Sequence, residues 1–252
     1  MNRFLRDAYC KYSQPKNKIK SLSFMGYSAE FKVDNPLELR IVEAILEKGF
    51  GEYQILEKLF ESLKQNDVVY DIGASIGTHA VFMAKKVGES GKLITFEPEA
   101  ESFEKLKANI DLNSINNVIC LNKALGDNLG KGMLYSYGGG YGAFNLRGFG
   151  NDKYEVEIVP GDLLVKEKGL PLPRVVKIDV EGSEYNVIRG LEKTLREDEC
   201  RMVCCEIHPG MLPDDIKPEM ITELLKSYGF NHIETYPRSE TFHAFCYKNR
   251  SN

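Results

Sequence analysis

The sequence predicts an α/β fold: a mostly parallel sheet with helices on both faces and an antiparallel hairpin at its end. Between residues 68 and 230, short apolar runs alternate with amphipathic segments, and this alternation is typical of a parallel sheet that is covered on both sides. The last two apolar runs, HIETYP and TFHAFCYK, are separated only by Arg238, Ser239 and Glu240. A link this short joins antiparallel strands, because parallel strands need a longer crossover.

Each element of this fold follows from the spacing of its apolar residues. Spacings of three and four between residues 35 and 65 predict two amphipathic helices before the first strand. After them we expect strands at residues 68–73, 92–98, 118–125, 174–181 and 201–209, and helices at residues 78–88, 100–113, 183–198 and 218–230. Between residues 131 and 165, GMLYSY and YEVEIVPGDLLV have the pattern of strands on either side of a glycine-rich loop.

Composition narrows the class of protein. With 252 residues, of which 42% are hydrophobic, the chain fits one globular domain with a short appendage. We predict an N-terminal extension at residues 1–62, made of a basic leader and helices, that packs on a domain at residues 63–252. The sequence has no long apolar run and no signal-peptide pattern, so we expect a cytoplasmic protein that makes no use of a membrane. It does not indicate an oligomeric state.

The net charge of −4 disfavours a protein that binds nucleic acid through broad electrostatic attraction. Residues 1–24 carry six basic side chains and one acidic side chain, a net charge of +5, which leaves −9 for the remaining residues. Such a leader is typical of a solvated, loosely ordered surface, and the alternative is a contact with nucleic acid or with anionic lipid.

Acidic residues follow several of the predicted strands. In an open parallel sheet, ligands bind at the carboxyl ends of the strands. The side chains at these ends are Asp71, Glu97, Asp179, Glu181, Glu206 and His208. A single acid at such a position most often caps the next helix. Several acids at one edge need a further explanation, because clustered carboxylates repel one another unless a cation or hydroxyl donors share the site.

The turn after the first strand, DIGASIGTHA at residues 71–80, separates two classes of nucleotide-binding enzyme. A dinucleotide-binding turn would have glycine at positions 73, 75 and 78, but this chain has Ser75 and Thr78. Asp71 would also repel the negative charges of a pyrophosphate. S-adenosylmethionine carries an ammonium, a sulfonium and a ribose diol in place of phosphates, and carboxylates suit all three. We therefore predict S-adenosylmethionine as the cofactor, and an NAD-dependent oxidoreductase is the least favoured function.

The predicted cofactor contacts lie at the ends of several strands. Gly73 and Gly77 would let the backbone approach the cofactor closely. Asp71 would lie near the ammonium group, and Glu97 would accept hydrogen bonds from both ribose hydroxyls. The backbone after the third strand would meet the adenine. The full predicted set is Asp71, Gly73, Ser75, Gly77, His79, Glu97, Ala124, Leu125 and Asp179.

Four segments resemble the successive motifs of the FkbM-type methyltransferases, a branch of the class I S-adenosylmethionine-dependent enzymes: VVYDIGASIGTHA, ITFEPEAESFEKLKANI, NKALGD and VVKIDVEGSEYNVIRG. The resemblance spans about residues 50 to 210, and DVEGSE at residues 179–184 is its most specific element. It implies a Rossmann-like fold with seven strands in the order 3, 2, 1, 4, 5, 7, 6. It also implies O-methylation of a hydroxyl on a sugar or another small molecule. In such enzymes a residue before the first strand often contacts the methionine tail, and Glu52 and Gln54 both fit.

A hydroxyl acceptor must lose a proton during methyl transfer, so a general base is expected at the same edge. His208 is the first candidate, Asp179 the second and His79 the third. The alternative for His208 is a loop histidine that bonds the backbone. We assign no metal, since the six cysteines form no CxxC pair and the neighbours Cys204 and Cys205 would point to opposite faces of a strand.

The loop at residues 138–150 is predicted to be a mobile lid over the acceptor, formed by Tyr141, Phe144 and Arg147 together with Glu181 at a nearby strand end. The alternatives are a flexible connection with incidental aromatic residues, or a surface that stacks RNA bases. An RNA methyltransferase is the first alternative function, although the acidic net charge and the lack of an Asn-Pro-Pro-like motif disfavour it. A second alternative is a non-catalytic protein that binds the cofactor.

Overall fold

The computed structural model describes residues 18–46, 52–136, 146 and 152–248. The strands are, in chain order, β1 (Lys18–Phe24), β2 (Tyr27–Val33), β3 (Val68–Ile72), β4 (Lys92–Phe96), β5 (Val118–Leu121), β6 (Ala124–Gly126), β7 (Gly130–Ser136), β8 (Asp152–Pro160), β9 (Val175–Ile178), β10 (Met202–Ile207), β11 (His232–Arg238) and β12 (Thr241–Tyr247). The helices are α1 (Pro36–Ala44), α2 (Glu52–Ser62), α3 (Thr78–Val87), α4 (Ala100–Leu112), α5 (Gly161–Lys168), α6 (Glu184–Gly190), α7 (Glu192–Arg196) and α8 (Pro218–Ser227), with a 3₁₀ turn at Pro209–Met211.

Seven strands form the central sheet, in the order β11-β12-β10-β9-β3-β4-β5. Numbered along the chain within this sheet, the order is 6-7-5-4-1-2-3, which is the predicted order read from the other edge. The strand β12 is antiparallel to both of its neighbours, β10 and β11, and the remaining pairs are parallel. The predicted α/β class and its antiparallel closing hairpin are therefore confirmed.

The strands β3, β4, β9 and β10 are buried on both faces because they consist almost entirely of apolar residues. Successive residues enter two different apolar clusters: Val69 packs in one cluster and Tyr70 in the other. Cys204 and Cys205 divide in the same way, which confirms that they point to opposite faces. All four residues of β9 and all six of β10 are buried. The central strands thus form a well-packed platform whose carboxyl ends carry polar side chains.

A β-hairpin, absent from the sequence prediction, precedes the two N-terminal helices. The strands β1 and β2 pair antiparallel, and Leu22 and Phe24 enter the core beside α2 and α3. Phe24 meets the ring of Phe60 edge-on, with the ring centroids 5.4 Å apart. The prediction of a loosely ordered surface is thus wrong for residues 18–24, where the buried Leu22 and Phe24 alternate with exposed serines. The basic charge of the segment concealed this short strand signal. Residues 1–17 lie outside the described part of the chain.

Three other boundaries differ from the sequence prediction. The apolar stretch at residues 118–125 is two strands, because β5 joins the central sheet while β6 pairs with β8 in a separate sheet. The strand predicted to reach residue 165 ends at Pro160, and α5 follows; a short apolar run such as DLLV fits a strand or a helix equally well. The single helix predicted at residues 183–198 is interrupted at Leu191, whose backbone is not helical, with φ −110° and ψ 15°.

Both predicted N-terminal helices are present, as α1 and α2. The division of the chain into an extension at residues 1–62 and a domain at residues 63–252 stays a prediction. Within the described ranges, no helix has the length and the apolar character that a membrane span requires.

Candidate functional site

Side chains from three neighbouring strands meet at the carboxyl edge of the central sheet. Asp71 lies near the end of β3, Asp179 directly follows β9, and Glu206 and His208 lie at the end of β10. Because β3, β9 and β10 are adjacent and parallel, their carboxyl ends meet at one place. Together with Glu181, these residues are called the acidic edge.

A buried lysine that was absent from the predicted site pairs with two of these carboxylates. The Nζ atom of Lys177, in β9, lies 3.2 Å from Oδ1 of Asp71 and 3.6 Å from Oδ2 of Asp179. Burial disfavours the charged amine, but the two carboxylates outweigh this effect and raise the pKa of Lys177. The signal in the sequence is a charged residue inside an otherwise apolar strand, since such a residue requires a partner of opposite charge.

The glycine-rich turn after β3 is fixed by contacts within the protein. Gly73 has a left-handed backbone with φ +80°, and a Cβ atom there would lie 1.8 Å from the carbonyl oxygen of Asp179. Gly77 precedes α3 with φ +87°, and its Cβ atom would lie 2.5 Å from Cδ1 of Leu106. The backbone contact at Gly73 and the left-handed backbone at both positions already favour glycine. The close approach of a cofactor at the same positions stays a prediction.

Glu97, directly after β4, is held by the same turn. Its Oε2 atom accepts a hydrogen bond from the amide of Ser75 at 2.7 Å, and Oε1 accepts one from the amide of Glu99 at 2.9 Å. Glu97 is 4% exposed, and burial raises the pKa of its carboxyl group to about 7. Each oxygen keeps one further acceptor position, so the group can receive two hydroxyl donors, as the predicted ribose contact requires.

The backbone predicted to meet the adenine lies next to Glu97. Ala124 and Leu125 begin β6 and are buried. The side-chain amide of Asn122 donates a hydrogen bond to the carbonyl oxygen of Glu97 at 2.8 Å, which ties the start of β6 to the end of β4. A cavity of ≈ 290 Å³ opens beside Ala124 and Pro98. The role of this segment in cofactor binding stays a prediction.

His208 lies among four carboxylates. Its Nδ1 atom is 2.6 Å from Oε1 of Glu184. Its Nε2 atom is 3.7 Å from Oε2 of Glu181, 3.7 Å from Oε1 of Glu206 and 3.9 Å from Oδ1 of Asp179. Burial alone would lower the pKa of His208, but the hydrogen bond to Glu184 and the neighbouring charges raise it to about 9. The ring therefore faces carboxylates, and in the protein without ligands it is protonated at neutral pH.

This protonation bears on the predicted general base. An imidazolium ion cannot accept a proton, so His208 can act as a base only after its own proton has been displaced. Glu181 differs, because burial raises the pKa of its carboxyl group to about 7, so that both of its forms are populated near neutral pH. The assignment of His208, Asp179 or His79 as the base stays a prediction, and Glu181 joins the candidates.

The buried carboxylate of Glu184 holds the turn that follows β9. Glu184, at the start of α6, is fully buried, and its Oε1 atom accepts a hydrogen bond from the amide of Gly182 at 3.0 Å in addition to its contact with His208. Gly182 has φ +95°, and a Cβ atom there would lie 2.2 Å from the carbonyl oxygen of Met211. Glu184 therefore joins the turn after β9 to the turn after β10. Its position within DVEGSE marked it as part of a motif, but only the fold shows its partner.

A series of ion pairs connects Glu206 of the acidic edge with Glu52 at the start of α2. Glu206 accepts hydrogen bonds from Nη1 of Arg238 at 3.0 Å and from Oγ1 of Thr241 at 2.8 Å. Nη2 of Arg238 lies 2.5 Å from Oε1 of Glu52, whose Oε2 atom is 3.3 Å from Nε2 of His79. Burial raises the pKa of Glu52, but His79 and Arg238 outweigh it and hold this pKa at about 2. Glu52, one of the two residues left open by the sequence, is thus connected to the acidic edge.

The predicted lid cannot be placed. Tyr141, Phe144 and Arg147 lie outside the described residues, so their role stays a prediction. The strands on either side of them, β7 and β8, are antiparallel neighbours. The remaining predicted residues lie in the turn after β3, at the start of α3, at the ends of β3, β4, β9 and β10, or in β6.

The chain is similar to known methyltransferases. Residues 71–231 match the family profile of the methyltransferase FkbM domain. The chain is 30% identical over 207 residues to the hexuronic acid methyltransferase AglP of Haloferax volcanii, across 80% of this chain and 81% of that protein. It is 35% identical over 109 residues to a protein-L-isoaspartate O-methyltransferase of Methanococcus maripaludis, across 42% of this chain and 47% of that protein.

Solved methyltransferase structures have the same fold. The precorrin-6y C5,15-methyltransferase of Geobacter metallireducens matches with a TM-score of 0.50 at 12% sequence identity, over 81% of this chain and 92% of that chain. At this identity the likeness shows the fold alone. The family profile covers more than half of the chain, so the protein belongs to the FkbM methyltransferase family and uses S-adenosylmethionine as its methyl donor.

Proposed function

We propose that the protein transfers a methyl group from S-adenosylmethionine to a hydroxyl group of a sugar, with hexuronic acids as the first class of acceptor to test. The observation that carries this proposal is the acidic edge, where carboxylates and an imidazole from three adjacent strands surround the place at which a parallel sheet binds its ligands. The choice of acceptor class rests on the relative that is named for methylation of hexuronic acids.

The described residues fit the cofactor. Oδ2 of Asp71 and Oγ of Ser75 are buried without a hydrogen-bond partner in the described part of the chain, and buried polar atoms are normally paired. In this proposal Asp71 lies near the ammonium group, Asp179 faces the methionine portion or the acceptor, and Glu97 accepts hydrogen bonds from both ribose hydroxyls. S-adenosylmethionine supplies the reactive methyl group and a sulfonium leaving group, while these side chains bind it, orient it and exclude water.

Methyl transfer to a hydroxyl also requires a proton acceptor. The bond between acceptor oxygen and methyl carbon forms as the bond between carbon and sulfur breaks, and the electron pair of the broken bond goes to sulfur. The hydroxyl proton goes to Glu181 in this proposal, ahead of His208, because a carboxyl pKa of about 7 allows Glu181 to be ionised before the reaction and protonated after it. His208, with its pKa raised to about 9, keeps its proton unless another cation takes that place.

Transfer of a labelled methyl group to a panel of acceptors tests the proposal. We expect the full chain to methylate a hexuronic acid, free or linked to a nucleotide, and to leave RNA of mixed sequence unlabelled. Analysis of the product by NMR should place the new methyl group on oxygen. Labelling of RNA alone would favour an RNA methyltransferase. Binding of S-adenosylhomocysteine, without methyl transfer to any compound of a cell extract, would favour a non-catalytic binding protein.

The proposal includes a cytoplasmic location, as the sequence leads us to expect. S-adenosylmethionine is made inside cells, so an enzyme that consumes it has its methyl donor there. Fractionation of cells that produce the tagged full chain tests this point, and recovery of the protein in the membrane fraction or in the medium would contradict it.

A further inference from the structure

One ring nitrogen in the acidic edge has no hydrogen-bond partner among the described residues. His208 is 6% exposed, yet its Nε2 atom lies 3.7 to 3.9 Å from the nearest carboxylate oxygens, which belong to Glu181, Glu206 and Asp179. These distances exceed the length of a hydrogen bond. Nε2 therefore has a position open for a group from outside the chain that lies between these atoms.

Three of the atoms are spaced as metal ligands are. One nitrogen or oxygen atom from each of Asp179, Glu206 and His208 lies within 4.8 Å of the others. A cation in the middle of such a triangle would be about 2.2 to 2.8 Å from each atom, which is close to the distances at which divalent cations bind carboxylate oxygen and imidazole nitrogen. The spacing is too wide for hydrogen bonds and suits a shared cation after small side-chain movements.

We propose that Asp179, Glu206 and His208 bind a divalent cation. Two carboxylates favour Mg²⁺ or Mn²⁺, and the imidazole nitrogen favours a transition metal, so Mn²⁺ satisfies both preferences. Three protein ligands leave further positions open for an acceptor. Cysteine spacing in the sequence predicted no metal, and these three ligands come together only when β9 and β10 pair.

Two of the ligands are oriented by a second contact. Oε1 of Glu184 is 2.6 Å from Nδ1 of His208. This contact places the ring proton on Nδ1, so the lone pair of Nε2 is directed at the cation. Lys177 lies 3.6 Å from Oδ2 of Asp179, while Oδ1 of the same carboxylate faces His208. Partners of this kind are the usual support of metal ligands in proteins.

Glu206 keeps its support when it binds a cation. Nη1 of Arg238 is 3.0 Å from Oε1 and 3.1 Å from Oε2, and Oγ1 of Thr241 donates a hydrogen bond to Oε1 at 2.8 Å. When the guanidinium group bonds Oε2 alone, Oε1 keeps one lone pair beside the Thr241 bond and can serve as the ligand. Nε2 of His243 also lies 3.1 Å from Oε2. The carboxylate is therefore anchored through the oxygen that does not face His208.

The charge of this region also favours a cation. Five carboxyl groups, the four of the acidic edge and that of Glu184, lie close together, and in the described structure they contact two permanently charged bases, Lys177 and Arg238. Clustered carboxylates repel one another unless cations share the site. A divalent cation would balance most of the remaining negative charge.

The cation also gives the proposed methyl transfer a means of activating the acceptor hydroxyl. This role of the cation rests on the proposed function. Bound to the acceptor hydroxyl, the cation lowers the pKa of the hydroxyl, as metal ions do for bound water. The proton passes to Glu181, the acceptor oxygen attacks the methyl carbon, and the electron pair of the broken carbon–sulfur bond stays on sulfur. Open positions on one cation favour acceptors with two neighbouring oxygen atoms, such as a vicinal diol or a hydroxyl beside a carboxylate. Both arrangements occur in hexuronic acids.

Manganese binding tests the site directly. The full chain is freed of metal with EDTA, dialysed and titrated with Mn²⁺, while electron paramagnetic resonance measures the free ion. We expect one bound Mn²⁺ per chain, with nuclear modulation from an imidazole nitrogen in pulsed spectra. In His208→Ala the affinity should fall at least about tenfold and the nitrogen signal should disappear. In His232→Ala, which removes an exposed histidine at the start of β11, both should be unchanged.

Binding of S-adenosylhomocysteine to the same samples checks that each variant is folded. Absence of stoichiometric Mn²⁺ binding in the wild type overturns the inference, as does a His208→Ala variant that keeps the affinity and the nitrogen signal. The methyl-transfer assay separates the two proposals. If methylation of a sugar persists in EDTA and the protein binds no Mn²⁺, the cation proposal is refuted and the proposed function stands. Stoichiometric Mn²⁺ binding without methylation of any sugar refutes the proposed acceptor alone.

Discussion

The two edges of the central sheet differ in how completely their buried charges are paired. At the amino edge, Nη1 and Nη2 of Arg201 lie 2.9 and 2.5 Å from the two carboxylate oxygens of Asp67, and Nη2 also donates to the carbonyl oxygen of Ser62. At the carboxyl edge, carboxyl groups outnumber the bases that contact them in the described structure. There, Oδ2 of Asp71 and Oε2 of Glu184 have no hydrogen-bond partner among the described residues.

This difference distinguishes charged groups that stabilise the fold from charged groups that bind a ligand. A closed ion pair satisfies its own groups and needs no ligand, whereas unpaired buried polar atoms carry a free-energy cost that a ligand can offset. Substitutions at the amino edge should therefore change the free energy of unfolding and leave methyl transfer intact. Substitutions at the carboxyl edge should change methyl transfer or ligand binding more than they change the free energy of unfolding.

The largest effect is expected from Glu181→Gln at the carboxyl edge. Glutamine keeps the shape of the side chain but cannot accept a proton, so kcat for the sugar acceptor should fall by about 10²- to 10⁴-fold. The free energy of unfolding and the affinity for S-adenosylhomocysteine should stay close to wild type. Steady-state kinetics measure the change, with the exposed Glu192→Gln in α7 as the control. A variant with wild-type kcat would remove Glu181 from the reaction.

At the amino edge, Arg201→Ala is expected to lower the free energy of unfolding by about 3 kcal/mol, because it leaves the buried carboxylate of Asp67 without its charged partner and with the hydrogen bond from the Lys64 amide. Urea denaturation measures this loss. Lys131→Ala, which breaks the exposed pair with Glu155, should leave the free energy of unfolding close to that of the wild type. The kcat of folded Arg201→Ala should equal that of the wild type. A fall in kcat as large as that of Glu181→Gln would contradict the distinction between the edges.

A smaller effect is expected from Glu184→Gln, which removes the charge behind His208. Mn²⁺ affinity should fall about 10- to 100-fold, the usual cost of losing a partner of a metal ligand. In the metal-free protein the pKa of His208, about 9 in the wild type, should fall, because a neighbouring anion no longer stabilises the imidazolium. NMR titration of the ring measures this pKa. The same pKa in variant and wild type would show that Glu184 does not raise the pKa of the His208 ring.

The smallest effect is expected in the pH dependence of stability at Glu97. Burial raises the pKa of Glu97 from 4.5 to about 7 in the folded protein, so the folded state binds this proton more tightly than the unfolded state does. The stabilisation is complete below about pH 4.5 and is lost as the pH rises through about 7. Glutamine does not ionise. The free energy of unfolding of Glu97→Gln, relative to wild type, should therefore rise between about pH 5 and pH 8. Urea denaturation at both pH values that shows a constant difference would contradict the raised pKa.

Features that depend on neighbouring residues along the chain could be predicted from the sequence. The alternation of apolar runs gave the strands and helices, and the three-residue link at Arg238 gave the closing hairpin. The acids at strand ends, Asp71, Glu97 and Asp179, follow from the same reading, because parallel strands bring their carboxyl ends to one edge. The strand order followed from the resemblance of four motifs to a known family.

Features that join distant parts of the chain could not be predicted. The pair of Lys177 and Asp71 spans 106 residues, and the contact of His208 with Glu184 spans 24. Which charged side chain meets which depends on strand register and on turns such as the one that Gly182 allows. The metal-like spacing of the acidic edge is a consequence of these pairings, so composition and motif spacing do not reveal it.

Calorimetric titration with S-adenosylhomocysteine tests the central claim, that the carboxyl edge of the sheet holds the methyl donor. The wild type should bind one molecule per chain, Glu97→Ala should bind at least about tenfold more weakly, since two hydrogen bonds to the ribose are lost, and Arg201→Ala should bind as the wild type does. Wild-type affinity in Glu97→Ala, or an equal loss in Arg201→Ala, would contradict the claim.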